Sequence, residues 1–90
     1  MVNDKNMNLR VAGRSDPSSV AGSAVKYIHE GFNVSLTAIG AGAVNQMLKS
    51  VTIARSMAAS GGKDLYFVSG FATETINGEE KTAMKIFLKS

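Results

Sequence analysis

Gly40 and Gly42, separated by one residue, are the first place in this chain where residue type and spacing suggest chemistry. They follow an apolar run and precede a long helical pattern. Glycine there permits a sharp turn and a close approach of helix to strand. The first N–H groups of a helix have no intrahelical partner and favour an anion. Residues 37–46 therefore read either as a packing device or as a phosphate-facing turn. As a dinucleotide fingerprint the run is incomplete. Asn45 stands at the third glycine position, and Asp64 is the only, distant, candidate for the acid expected roughly 20 positions on.

The cations form the second pattern. Lys81, Lys85 and Lys89 fall on one face of the last apolar-periodic segment, with Phe87 between two of them. Arg10 lies on the first such segment, Arg14 in the first loop, and Lys49 and Arg55 on a long helix that carries no acid. Interspersed cations contact phosphates, and an exposed aromatic stacks on a base. The same pattern also suits a solvated sheet face that discourages edge pairing. Other candidates are thin. His29 is the only histidine and stands at a helix end, where it complements the dipole; zinc sites use three or four protein ligands. Glu79-Glu80 flank a turn, where carboxylates are solvated. The serines lack a base and orienting partner. The reading is no enzyme, no metal, no cofactor and no small-molecule substrate.

The elements that position these residues follow from periodicity. Met7, Leu9 and Val11 alternate with Asn8 and Arg10, as in a half-buried strand. Ser15 or Asp16 caps a helix over 17–30, with Pro17 in its first turn and Gly31 as its stop. Val34, Leu36 and Ala38 share one face of a second strand, which follows the helix as a right-handed parallel crossover. A second helix runs from near Gly40 to about Ala59. Its main apolar face is Val44, Met47, Leu48, Val51, Ala54 and Ala58, with Ile53 and Met57 on the far side beside Gln46 and Ser50. Two apolar side chains there mark either a partner subunit or scattered surface apolarity. Leu65-Tyr66-Phe67-Val68 is a continuous β-prone run and predicts a strand covered on both faces, continuing past Gly70 to Thr75. Asn77-Gly78 signals a type I′ hairpin into the last strand. The expected fold is an α/β two-layer sandwich, β-α-β-α-β-β, with a four-stranded mixed sheet and two helices on one face.

Composition sets the outer limits. Ninety residues, 44% apolar and 19% charged, make one small globular domain. A chain this short buries roughly 60–65% of its unfolded surface, so dimerisation is a natural supplement. There is no cysteine, hence no disulfide framework or thiol chemistry, and a reducing cytoplasm fits. No apolar run approaches the roughly 20 residues of a membrane span. Residues 1–6 are polar and read as a loose arm ahead of a single domain over 7–90. A net charge of +3 points toward an anionic partner.

Four stretches together resemble a known family. They are Ser15-Asp16-Pro17-Ser18-Ser19-Val20-Ala21-Gly22, Ala38-Ile39-Gly40-Ala41-Gly42-Ala43-Val44-Asn45-Gln46, Ile53-Ala54-Arg55, and Asn77-Gly78-Glu79-Glu80-Lys81-Thr82-Ala83. In order and spacing they resemble the bacterial stage V sporulation protein S family, over about residues 8–89. That family is similar to the Alba chromatin proteins, which form dimers and bind DNA or RNA. The resemblance implies an Alba-like fold and a cytoplasmic regulator linked to sporulation. Alba proteins carry a basic residue in the first loop, where Arg14 stands. They also carry cations where the second strand enters the second helix; here residues 38–42 are uncharged. Their hairpin is a basic arm; here its tip reads Asn77-Gly78-Glu79-Glu80. The expected nucleic-acid contacts are Arg14, Lys49, Arg55, Lys81 and Lys85, with Gly40 and Gly42. The expected homodimer contacts are Ile53, Met57 and Phe87. The alternative is a protein-interaction module on the same fold.

Overall fold

The computed structural model describes residues 5–90. Its elements are β1 (Asn6–Val11), α1 (Pro17–His29), β2 (Asn33–Ala38), α2 (Ala41–Ser60), β3 (Tyr66–Ile76) and β4 (Glu79–Lys89). The sheet order is β1-β2-β4-β3, with β1 and β2 parallel and the other neighbours antiparallel. Both helices lie on one face. The two-layer β-α-β-α-β-β sandwich is thus as the alternation and helical periods predict. The expected arm at 1–6 lies outside the described residues up to residue 4. β1 starts at Asn6, paired with Asn33, and the Asn33 N–H donates to the Lys5 carbonyl at 2.7 Å.

The alternating strands fill the core as their period requires. Val11, Leu36, Ile86 and Leu88 point at the helices and are buried. Their neighbours Arg10, Ser35, Lys85 and Phe87 point the other way. Asp16 is the α1 N-cap, but its carboxylate accepts the Ser19 hydroxyl at 2.8 Å instead of a backbone N–H. Ser15 instead ties its own loop, its Oγ accepting the Ala12 N–H at 2.8 Å. Gly31, at φ 89°, ends the helix in the left-handed region where a side chain is strained. Asn77 and Gly78 both have positive φ, 51° and 80°, as the type I′ turn demands.

Two expectations need correction. The buried stripe of α2 is Ala43, Met47, Ser50, Val51, Ala54 and Ala58, rotated from the predicted one. Leu48 is 42% exposed, and Ser50 is 1% exposed with its hydroxyl donating to the Gln46 carbonyl at 2.8 Å. Ala43, Ala54 and Ala58 of α2 share one buried core with Ala21 and Ala24 of α1, and side chains that small let two helices approach closely. Shape complementarity thus outweighs the hydrophobic stripe. The second correction concerns β3. It is an edge strand, and Tyr66, Phe67 and Val68 are 51%, 39% and 52% exposed. Only Leu65, just ahead of the strand, is buried, because β4 takes the central place beside β2.

Candidate nucleic-acid interface

Parallel pairing decides where the predicted residues meet. β1 and β2 run side by side, Leu9 against Leu36 and Val11 against Ala38. The loop after β1 and the turn after β2 therefore emerge at one end, followed by the N-termini of α1 and α2. The Gln46 amide nitrogen on α2 donates to the Ser15 carbonyl at 2.9 Å and ties the two connections together. β4 pairs with β2 from Phe87 to Met84, opposite Ser35 to Ala38. Residues 79–83 and their β3 partners therefore project past the same end. Arg10 braces that projection to β1, its guanidinium 2.5 Å from the Glu74 carboxylate on β3.

Arg14, Gly40 and Gly42 all sit at this end and are exposed. Arg14 makes no ion pair or side-chain hydrogen bond among the described residues. Gly40 is the α2 N-cap, with φ 89° and ψ 155°. A Cβ added at Gly40 or Gly42 meets nothing within 4 Å. The packing reading of the two glycines is therefore wrong. Gly40 is there for its backbone torsion, and the residues that open α2, Ala41 and Gly42, are exposed. Gly13 makes the closer approach, its added Cβ lying 4.0 Å from the Ala43 nitrogen. Lys49 is exposed one side further along α2, beside Pro17 and Ser18 of α1. Lys81 lies on the projecting hairpin, 3.4 Å from the Glu79 carboxylate.

Arg55 and Lys85 stand elsewhere. Arg55, in the second half of α2, donates to the Leu65 carbonyl and pairs with Asp64 at 3.0 Å, pinning the α2–β3 connection. Lys85 is on the face of the sheet away from the helices, its ammonium 5.3 Å from the Phe87 ring centre. Phe87, 40% exposed, shares that open face. Ile53 and Met57 lie on α2, across the sheet from Phe87. Ile53 packs partly on the core, while Met57 is 41% exposed.

The sequence reading passed over one cluster. On the open face, Asn8 Oδ1 accepts the hydroxyls of Ser35, at 2.9 Å, and Thr37, at 2.8 Å. Tyr66 joins the same face opposite Lys89. The signal was available in the polar half of the first strand, where Asn6, Asn8 and Arg10 alternate with the core residues.

A sequence model of the stage V sporulation protein S family matches residues 7–90. Among solved structures, Alba from Thermoplasma volcanium superimposes with a TM-score of 0.60 at 13% identity, covering 91% of this chain and 95% of that one. That likeness is one of fold: the same strand and helix order carries a largely different surface.

Proposed function

The chain belongs to the stage V sporulation protein S family, and on that premise we propose a non-enzymatic regulator that binds nucleic-acid backbone with weak sequence selectivity. It acts as a homodimer in the cytoplasm. One observation carries the reading: Arg14, the open α2 N-terminus and the hairpin are gathered at one end of the sheet. Cations and unpaired N–H groups there suit phosphates. Both helices lie flat on the sheet, so neither stands clear to read a groove, and selectivity is low. Met57, with Phe67 and Phe71 uncovered on the helix side of the edge strand, supplies apolar surface for a second copy.

Binding to mixed-sequence duplex DNA and RNA, measured across salt, tests the proposal. Affinity should fall steeply as salt rises, and Arg14→Ala should lower the log–log slope by about one phosphate contact. An unchanged slope removes Arg14 from the site; no retention of either nucleic acid at low salt removes the reading. The second reading, a protein-interaction module, is favoured by a specific feature. Carboxylates already engage Arg10, Arg55 and Lys81, through Glu74, Asp64 and Glu79.

A further inference from the structure

We propose that the open face of the sheet holds single-stranded nucleic acid, its bases stacked on Phe87 and Tyr66. The inference rests on the nucleic-acid reading above and adds a second surface with its own substrate class.

The register places the platform. Val68 lies opposite Phe87, and Tyr66 opposite Lys89, all four on the side away from the helices. Phe87 and Tyr66 are thus diagonal neighbours on adjacent strands, roughly 7–8 Å apart. A stacked strand rises roughly 3.4 Å per nucleotide, so the two rings suit neighbouring bases of a strand drawn out from helical stacking. Both rings are about half exposed, with Val68 between them at 52%. Three large apolar side chains clustered at the β3 edge of the open sheet face invite a flat partner.

The charge around the rings selects a polyanion. Lys85 lies over Phe87, and Lys89 flanks Tyr66. Among the described residues, no Asp or Glu side chain lies within the patch bounded by Asn8, Ser35, Phe87 and Tyr66. Glu74 and Glu79 lie further toward the hairpin, engaged by Arg10 and Lys81. A second copy docked here by a two-fold would bring the same lysines together with nothing to neutralise them. A base stacked on Phe87 instead carries its phosphate to the Lys85 ammonium.

Two further features suit bases. Asn8 holds both hydroxyls on its Oδ1, so its amide nitrogen faces outward with two N–H groups for a base edge. A depression of about 580 Å³ opens beside the rings, where the β2–β4 ladder stops at Ser35 and Phe87. Its floor includes Val34 and Leu88, and its rim Lys85, Lys89 and Tyr66. An apolar floor with a polar rim matches the make-up of a ligand site. A duplex keeps its bases inside and cannot use rings on a flat face; a single strand can.

The test is fluorescence anisotropy with labelled single strands, RNA and DNA, of about 12 nucleotides, beside a duplex of equal length. Phe87→Ala and Tyr66→Ala should each weaken single-strand binding roughly tenfold or more and leave duplex binding unchanged. Phe87→Tyr should restore it. Leu48→Ala, at a 42% exposed side chain on α2 on the other side of the sheet, should have no effect on single strands. Unchanged single-strand affinity in Phe87→Ala overturns the proposal, as does equal loss for duplex, or dissociation of a dimer on this substitution alone. If wild type binds duplex but Phe87→Ala changes nothing, only this inference falls. If wild type binds neither form, the functional reading falls with it.

Discussion

Substituting the two glycines one at a time separates their roles. Gly40 has φ 89° and ψ 155°, a region that side-chain-bearing residues enter at a cost of about 1–3 kcal/mol. An added Cβ there touches nothing within 4 Å, so torsion is the whole cost. In a chain of this size each 1 kcal/mol moves Tm by roughly 4–8 °C. Gly40→Ala should therefore lower Tm by roughly 5–20 °C. Gly42 lies in the first turn of α2 without a positive φ, and its added Cβ also meets open space. Alanine there gains helix propensity, at most about 1 kcal/mol, and should raise Tm by a few degrees. The same methyl would shield the open N–H groups. Gly42→Ala should be the more stable protein and the poorer binder, by several-fold. Thermal melts at fixed protein concentration, paired with a binding titration, read both quantities. A Gly40→Ala variant as stable as wild type would refute the torsional argument. A Gly42→Ala variant that binds normally would remove the α2 N-terminus from the interface.

Arg55→Ala should lower stability by about 1–2 kcal/mol in urea unfolding, through the lost bond to the Leu65 carbonyl. It should leave the salt dependence of nucleic-acid binding untouched; a reduced slope would return Arg55 to the site. Met47→Ala should cost about 2–5 kcal/mol, its side chain being 1% exposed. Leu48→Ala should cost under about 1 kcal/mol, and comparable losses in the two variants would show that Leu48 is covered in solution by a partner.

Strands with clean alternation were legible in the sequence, because a one-sided period of two has one solution. Met7, Leu9 and Val11, and Val34, Leu36 and Ala38, could face only the helices. The hairpin was legible for a local reason, since Asn77-Gly78 meets a torsional requirement. The third strand was not. A continuous apolar run reads as two-sided burial whether or not anything covers it. The outcome depended on β4 taking the place beside β2, a long-range choice that no residue in 65–68 records. Once β3 is at the edge, its apolarity divides. Leu65 enters the core, Phe67 lies on the helix side, and Tyr66 and Val68 lie on the open face.

The charge pattern misled for a related reason. Counting ten cations against seven acids suggests a uniform excess, but availability is decided by pairing. Arg10 and Glu74 are 64 residues apart in sequence and in contact in space, so the sequence could not show that this arginine is engaged. The same holds for Arg55 and Asp64 across the α2–β3 connection. Arg14, Lys26, Lys49, Lys63, Lys85 and Lys89 make no ion pair with a carboxylate among the described residues. Four of them fall on the two surfaces proposed above, Arg14 and Lys49 near the helix N-termini, Lys85 and Lys89 on the open sheet, while Lys26 and Lys63 lie at the helix C-terminal ends. A stiff duplex cannot follow both at once without sharp bending, which is itself costly. A flexible strand can. The placement of those four cations therefore argues for two modes of contact, and the loss of one mode in an Arg14 or Phe87 variant should leave the other intact.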